Sequence, residues 1–562
     1  MGSSRCDQQG AATWLPTPAG YVAPGFALVP LLWSSLSGST PGCKFAPYPQ
    51  EMRQRCAVYS FCVSAKLRAA CPRISVRGIR LSLTDAPVET PAQTRRPLCV
   101  DLDGTLVKCD TLVDSLLVLA RSKPALLLKL PGRLLHGNAA FKAFVTDSVS
   151  LDVAHLPYNH KLLQYLQQQR TLGRKIYLAT GADQRVARSV AAHLNLFAGV
   201  LGSDGATNLT GSNKLASLRQ RLGAETFDYI GNDTPDLPLL ANSTEPMIAN
   251  PSLRLRMRMG GIKPVRTFLE GRSLPSALLK ALRPHQWAKN LLIFLPLFLS
   301  HALSAGKLLM AFGAFLCFSL TASATYIVND LLDIQSDRHH LRKRERPFAS
   351  GDLSVPTGMA IAAGLLVASL AGAQLLPSSF LGWLLLYLAT TIAYSTFLKR
   401  VALVDVLLLS GLYTLRLLAG GGATQTPISH WLAGFSIFLF LSLGIVKRFA
   451  ELENLRASGL SPRNGRGYLI TDLGQIRSFG TSSAFAAVVV FTNYISSRDV
   501  QELYHKPGWL WLIVPLMVLW LCRVWLLASR GELDEDPVVF ALTDRTSLLI
   551  GAGVTLVVWL AM

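Results

Sequence analysis

Two short stretches hold most of the residues that could do chemistry. In "NDLLDIQSDRHHLRKRERP", Asn329 to Pro347, the carboxylates Asp330, Asp333 and Asp337 recur at near-helical spacing and a run of bases follows. On a helix the three acids share one face. Crowded carboxylates repel one another unless divalent cations lie between them, and an all-oxygen set suits Mg²⁺, which usually arrives with substrate phosphates. The bases Arg342, Lys343, Arg344 and Arg346 can meet a diphosphate or face anionic lipid; for most of the run lipid is the simpler account. In "LCVDLDGT" an apolar run, Leu98 to Val100, ends in Asp101 and Asp103. It reads as a buried strand that delivers two carboxylates to its carboxyl end, where open α/β sheets bind ligands. Downstream, "RKIYLATGAD" ends a strand at Thr180, Lys214 opens a helix in "GSNKLASLRQRL", and "FDYIGNDTPD" ends a strand in Asn232, Asp233 and Asp236.

The elements that must position these groups divide the chain. From about Trp287 onward roughly nine apolar runs approach the ~20 residues a bilayer needs, among them "WLAGFSIFLFLSLGIV" and "WLWLIVPLMVLWLCRVWLL". The expected fold is therefore in two parts: an α/β (Rossmannoid) domain over 96–275, then an all-α polytopic membrane domain of about nine helices over 280–562. Residues 1–95 carry scattered Gly, Pro, Ser and Arg without apolar periodicity and read as an unassigned leader or an extended start. The 55 Lys plus Arg against 34 Asp plus Glu give +21, but the bases sit mainly in loops beside apolar spans, which fits the positive-inside rule and argues against nucleic acid. The nine cysteines show no CxxC pair and indicate neither zinc nor a disulfide framework.

The order Asp101-x-Asp103-Gly-Thr, Thr180, Lys214, then Asp233 and Asp236 resembles the haloacid dehalogenase-like phosphatase superfamily across the whole soluble domain. That resemblance implies Asp101 as nucleophile, Asp103 as general acid and base, Thr180 and Lys214 on the phosphoryl group, and Mg²⁺ held by Asp101, Asp103, Asp233 and Asp236. Carboxylate attack on phosphorus needs the phosphoryl oxygens neutralised and the leaving alcohol protonated, which those groups would do. One departure stands out: the family usually has an aspartate directly after the last glycine, whereas here Asn232 follows Gly231. The Leu- and Lys-rich insertion between Asp110 and about Leu166 reads as a helical cap whose leucines pack internally, with acceptance of a lipid-linked phosphate beside the membrane as the alternative.

The Asn329–Asp330–Asp333–Asp337 pattern closing on Arg346-Pro347 resembles the UbiA superfamily of intramembrane prenyltransferases. Aromatic prenyltransferases of that superfamily carry a second acidic motif between spans six and seven. Here "GIVKRFAELENLRASG" puts Lys447, Arg448, Glu451 and Glu453 in that place. With "LRPHQWAKNLL" and "YSTFLKRVALVDVLLLSGLYTLRLLAGG", this resembles the decaprenyl-phosphate phosphoribosyltransferase branch. The resemblance implies phosphoribosyl diphosphate as donor and a polyprenyl phosphate as acceptor, with Asp330, Asp333 and Asp337 as Mg²⁺ ligands, Asn329 beside them and Arg346 on diphosphate. Lys399, Asp405, Tyr413, Arg416, Lys447, Arg448 and Glu451 would meet donor phosphates and ribose hydroxyls, and Lys289 a lipid phosphate or the interface.

Every even-numbered span returns the chain to the side of the soluble domain, so both sets of motifs face one compartment, expected to be the cytoplasmic side of a bacterial inner membrane. A joint function follows: transfer of phosphoribosyl to lipid, then removal of the 5-phosphate. The competing readings are an aromatic prenyltransferase acting on a polyprenyl diphosphate and a phenol such as 4-hydroxybenzoate, and a transporter or scaffold with an inactive phosphatase-like domain.

Overall fold

The structure, a computed structural model, describes residues 96–223, 225–459, 466–533 and 537–562. The leader expected over 1–95 lies outside the described residues.

The first part is an α/β domain. Its strands are β1 (Leu98–Val100), β2 (Ile176–Asp183), β3 (Gly199–Ser203), β4 (Asp228–Gly231), β5 (Pro246–Ala249) and β6 (Arg266–Phe268). They form one parallel sheet in the order β3-β2-β1-β4-β5-β6. The β1 run is apolar without alternation because both faces are covered. Helices α1 (Thr111–Ser122), α2 (Asn138–Ser148), α3 (His160–Thr171), α4 (Gln184–Leu194) and α5 (Gly211–Leu222) intervene between strands. Leu162 and Leu166 of α3 join Val186 and Val190 of α4 on one side of the sheet; Leu218 and Leu222 of α5 lie on the other. Strand order reverses at β1, so the crevice at the carboxyl ends of β1, β2 and β4 is the place where such a sheet binds a ligand.

The cap departs from expectation. Leu119 and Val145 are buried, but Leu128, Leu134 and Leu135 are 86%, 54% and 89% exposed, so the leucine stripe does not simply pack. Pro124 and Pro131 break the segment into a 3₁₀ stretch, Pro124–Lys129, and a five-residue turn, Leu130–Leu134. No continuous helix forms there to gather the leucines on one inner face.

The second part is helical. Among the described residues seven helical spans are long and apolar enough to cross a membrane: α6 (Ala305–Leu332), α7 (Val355–Ala373), α8 (Ser378–Thr396), α9 (Val404–Thr424), α10 (His430–Ser458), α11 (Leu473–Ile495, its span beginning at Ile470) and α12 (Ile513–Ser529, its span beginning at Pro507). Seven such spans stand against the nine expected, and two shorter apolar segments accompany them. One is α13 (Arg545–Ala561); the other, Pro284–Leu299, has its prolines at Pro284 and Pro296 and is a 3₁₀ run followed by one helical turn. Gly420 lets α9 press on that entry segment, since a Cβ there would stand 2.1 Å from the Ile293 carbonyl oxygen. Leu309, Met359, Leu549 and Trp559 remain largely exposed, as lipid-facing positions must.

The two parts form one compact body. Helix Leu274–Leu282 leads from the sheet and packs Ala277 and Ala281 against Ala324 and Ile327 of α6. Between α6 and α7, Arg338 donates to Asp114 of α1 at 2.7 Å, with the side chains 3% and 1% exposed. Beside it His339 Nε2 lies 3.0 Å from Asp152, which also holds His155 at 2.8 Å. Removing one partner of a buried ion pair strands the other. Asp114→Ala should therefore cost about 3 kcal/mol, read as a lower unfolding temperature of the detergent-solubilised chain, and adding Arg338→Met should recover part of the loss.

Candidate functional site

At the carboxyl end of β1, Asp101 is buried and its Oδ1 accepts from Lys214 Nζ at 2.9 Å. Lys214 sits in the first turn of α5 and also donates to Asp236 at 3.0 Å and to Tyr229 Oη at 3.1 Å. Asp103 accepts from the Thr111 N–H at 2.8 Å, at the start of α1. Between the two acids and the end of β4 the backbone is tight: Gly104 has φ +73°, and a Cβ on it would fall 2.0 Å from Asn232 Nδ2. Asn232, the departure from the phosphatase pattern, is thus packed on the glycine of the first motif.

Asp101, Asp103, Asp233 and Asp236 line one cavity of about 480 Å³, together with Lys142, Lys214, Gly181 and Ala182. Asp233 fixes one oxygen on the Thr234 N–H and the Ser252 hydroxyl. These four carboxylates are a hard-oxygen set around one cavity, a donor chemistry that fits Mg²⁺.

Two of the expected residues are held by partners within the protein. Asp236 spends Oδ1 on Lys214 and Tyr229, and its Oδ2 accepts from the Asn232 and Asp233 N–H groups. With both oxygens engaged within the protein, Asp236 braces the lysine and the β4 loop. Thr180 is fully buried with its Oγ1 accepting from the Ala182 N–H, and the cavity wall at that point is Gly181 and Ala182. Lys142 of the cap, not singled out in the sequence, reaches the same wall, donating to the Gly181 carbonyl at 2.5 Å and to Asn208 at 2.8 Å. Only a lysine facing inward from a cap helix could have flagged it, and the insertion holds several lysines.

Burial raises both carboxyls at the end of β1. Asp101 is pushed up to about 6, with Lys214 opposing the rise. Asp103 is pushed up to about 8 by burial and by the charges of Asp110 and Asp101. Burial works against Lys214, yet its two carboxylate partners hold it above the ordinary lysine range. A nucleophile that ionises more readily than its neighbour, and a neighbour that keeps its proton at neutral pH, are what attack on phosphorus and protonation of a leaving alcohol require.

The second centre lies at the end of α6. Asp330 and Asp337 are buried, and one nitrogen, Arg346 Nη1, donates to both at 3.1 and 2.7 Å. Arg283 holds Asp330 through both carboxylate oxygens at 2.6 and 2.8 Å, from a residue with φ +51°. That left-handed backbone is disfavoured for arginine and is sustained by the contact it delivers. Asp333 faces Lys399 at 3.5 Å and Arg121 of α1 at 2.9 Å. Three carboxylates at one membrane edge, each countered by cations, are a hard-oxygen donor set that fits Mg²⁺. Asn329 is not gathered with them; it lines a separate, mainly apolar cavity of about 330 Å³ between α6, α7 and α8.

The remaining expected residues fall into two groups. Arg416 is buried inside the bundle, donating to Asn290 at 2.8 Å and to Tyr387 at 3.2 Å, with its guanidinium 5.5 Å from the Tyr413 ring centre. Lys289 stands 5.7 Å from the same ring. Asp405 is fully buried and accepts from Arg448 at 2.7 Å and from Tyr468 at 2.5 Å, while Arg448 also donates to Glu451 at 2.6 Å. Lys447, one position before, is half-buried on α10. The place of a second acidic motif is thus a neutralised chain of acid, guanidinium and acid.

Fold and sites together define a polytopic membrane transferase with a haloacid dehalogenase-like domain fused in front of it. The chain belongs to the UbiA prenyltransferase family, whose profile matches residues 291–548. An uncharacterized protein, y4nM, of Sinorhizobium fredii is 39% identical over 463 residues, 81% of this chain and 89% of its own. That match is longer than the membrane part and so runs into the α/β domain. The decaprenyl-phosphate phosphoribosyltransferase of Mycobacterium tuberculosis is 34% identical over 287 residues, 50% of this chain and 91% of its own. Among solved structures, a UbiA homolog from Archaeoglobus fulgidus bound to GPP and Mg²⁺ aligns at 17% identity with a TM-score of 0.40, over 50% of this chain and 99% of that one.

The raised carboxyls predict a pH dependence in the metal-free protein. Between about pH 4 and pH 8 the folded state holds protons on Asp101 and Asp103 that the unfolded chain has released, so stability falls as pH rises through that window. In EDTA, unfolding temperature should decline from pH 5 to pH 8, and Mg²⁺ should restore more of it at pH 8. Asp101→Asn combined with Asp103→Asn should flatten the profile.

Proposed function

We propose that the membrane domain transfers the 5-phosphoribosyl group of phosphoribosyl diphosphate to a polyprenyl phosphate, and that the phosphatase-like domain then removes the 5-phosphate. The observation that carries the transferase reading is the Asp405–Arg448–Glu451 chain, which leaves one acidic cluster for diphosphate and places a guanidinium where a second metal set would stand. The 34% identity to a decaprenyl-phosphate phosphoribosyltransferase supports the same choice. Both substrates are then anionic, and the buried Arg416 with Lys289 offers the second positive site such a pair needs.

In this mechanism Asp330, Asp333 and Asp337 would hold Mg²⁺, which neutralises the departing diphosphate. Arg346 and Arg283 orient the carboxylates and can turn to phosphate oxygens. The bond from ribose C1 to the diphosphate oxygen breaks, a bond from C1 to a polyprenyl phosphate oxygen forms, and diphosphate leaves. In the other domain, Asp101 attacks the 5-phosphorus while Asp103 gives its proton to the departing ribose oxygen. Water then attacks the aspartyl phosphate with Asp103 taking the proton back, and Lys214 steadies the charge. The coupling is supported by the cavity walls: Phe348 and Leu353 in the loop before α7, with Val355 and Pro356 at its start, close the cavity that holds Asp101. A phosphomonoester carried on lipid suits a phosphatase cavity walled partly by the membrane domain. Both steps are placed on the cytoplasmic face of a bacterial inner membrane.

The test is a membrane assay with Mg²⁺, radiolabelled phosphoribosyl diphosphate and a polyprenyl phosphate. Label should enter the lipid phase, disappear in Asp330→Ala, and retain the 5-phosphate in Asp101→Asn. Label that never reaches lipid, with turnover of a polyprenyl diphosphate and 4-hydroxybenzoate instead, would move the protein to the aromatic branch.

A further inference from the structure

The segment between α6 and α7 has two faces. Asp330 and Asp337 turn toward Arg283 and Arg346, whereas Arg338 and His339 turn toward the phosphatase-like domain. Asp333 belongs to both faces, because its partner Arg121 is the next-to-last residue of α1 in that domain. Arg121 Nη1 donates at 2.9 Å to Asp333 Oδ1 and at 2.9 Å to the carbonyl of Leu332, the last residue of α6. A cation at the carboxyl end of a helix is favoured in its own right, but this one also takes the middle acid of the series.

We infer that Arg121 is a working part of the transferase site, a guanidinium supplied by the phosphatase-like domain that binds the donor's diphosphate beside Asp333. Among the described residues its Nε and Nη2 make no hydrogen bond, and the side chain is 42% exposed. Three N–H groups are therefore available to phosphate oxygens, and arginine's planar fork suits them. When a divalent ion takes Asp333, the Leu332 carbonyl still anchors the guanidinium at the same edge. The phosphatase-like domain thereby completes the active centre whose product it is proposed to process. By linkage, donor binding strengthens the contact between the two domains. The inference rests on the diphosphate role proposed for the three acids.

The test uses the full-length chain in detergent, titrated with inorganic pyrophosphate in the presence of Mg²⁺, alongside the donor KM. Arg121→Ala should weaken pyrophosphate binding about tenfold, the worth of one charge-assisted hydrogen bond, and raise donor KM more than it lowers kcat; Arg121→Lys should recover part of both. Asp152→Asn breaks a different contact between the domains, the one to His339, and should leave pyrophosphate binding as it is. Wild-type binding in Arg121→Ala, or an equal loss in Asp152→Asn, would reduce Arg121 to a docking contact and overturn the inference alone. Undiminished binding in Asp330→Ala would instead sink the diphosphate reading beneath it, and this inference with it.

Discussion

Carboxylates gathered at the edge of a membrane cannot stand as bare charges, and the packing of this molecule around residues 330–356 follows from that constraint. Water is scarce there and the acids repel one another, so each one recruits a cation. Arg283 comes from the entry to the bundle, Arg346 from the acids' own loop, Lys399 from the loop between α8 and α9, and Arg121 from the soluble domain. Four separate parts of the chain are thereby drawn to one point. The same cations that balance the acids would be suited to hold a diphosphate under the proposed function.

The soluble site obeys the same physics. Lys214 stands between Asp101 and Asp236, and Tyr229 and two backbone N–H groups complete the hydrogen bonding of Asp236. A buried lysine so placed fixes the nucleophile in one orientation and lets Asp103, with less compensation, keep its proton. The division of labour between two aspartates one residue apart is a difference of surroundings.

The segment from α6 to α7 serves both centres. Its first half presents the acids, its middle buries Arg338 against Asp114, and its last residues wall the cavity of Asp101. Sharing one loop between two sites accounts for a phosphatase-like domain that is docked on the membrane domain by a buried ion pair.

Local pattern was enough for much of this. Apolar length announced the spans, because a bilayer demands ~20 residues whichever helix lies next to which. The unbroken run of β1 announced a strand buried on both faces, and Asp101, Asp103, Lys214, Asp330, Asp333 and Asp337 were legible because motif chemistry is dictated by residue type and short spacing. Exceptions came where burial depends on distant partners. The leucines of the cap have the composition of a core, yet Leu128 and Leu135 stay exposed, and nothing local marks Asp236 as the partner of the Lys214 ammonium and the Tyr229 hydroxyl. Arg283, Arg121, Lys142 and Tyr468 bear no local signal at all; each lies 40 residues or more along the chain from a charged or polar group it serves. Sequence alone determined which groups could do the chemistry. Only the tertiary structure decided which charges meet, since an ion pair between remote residues is settled by the packing that buries it.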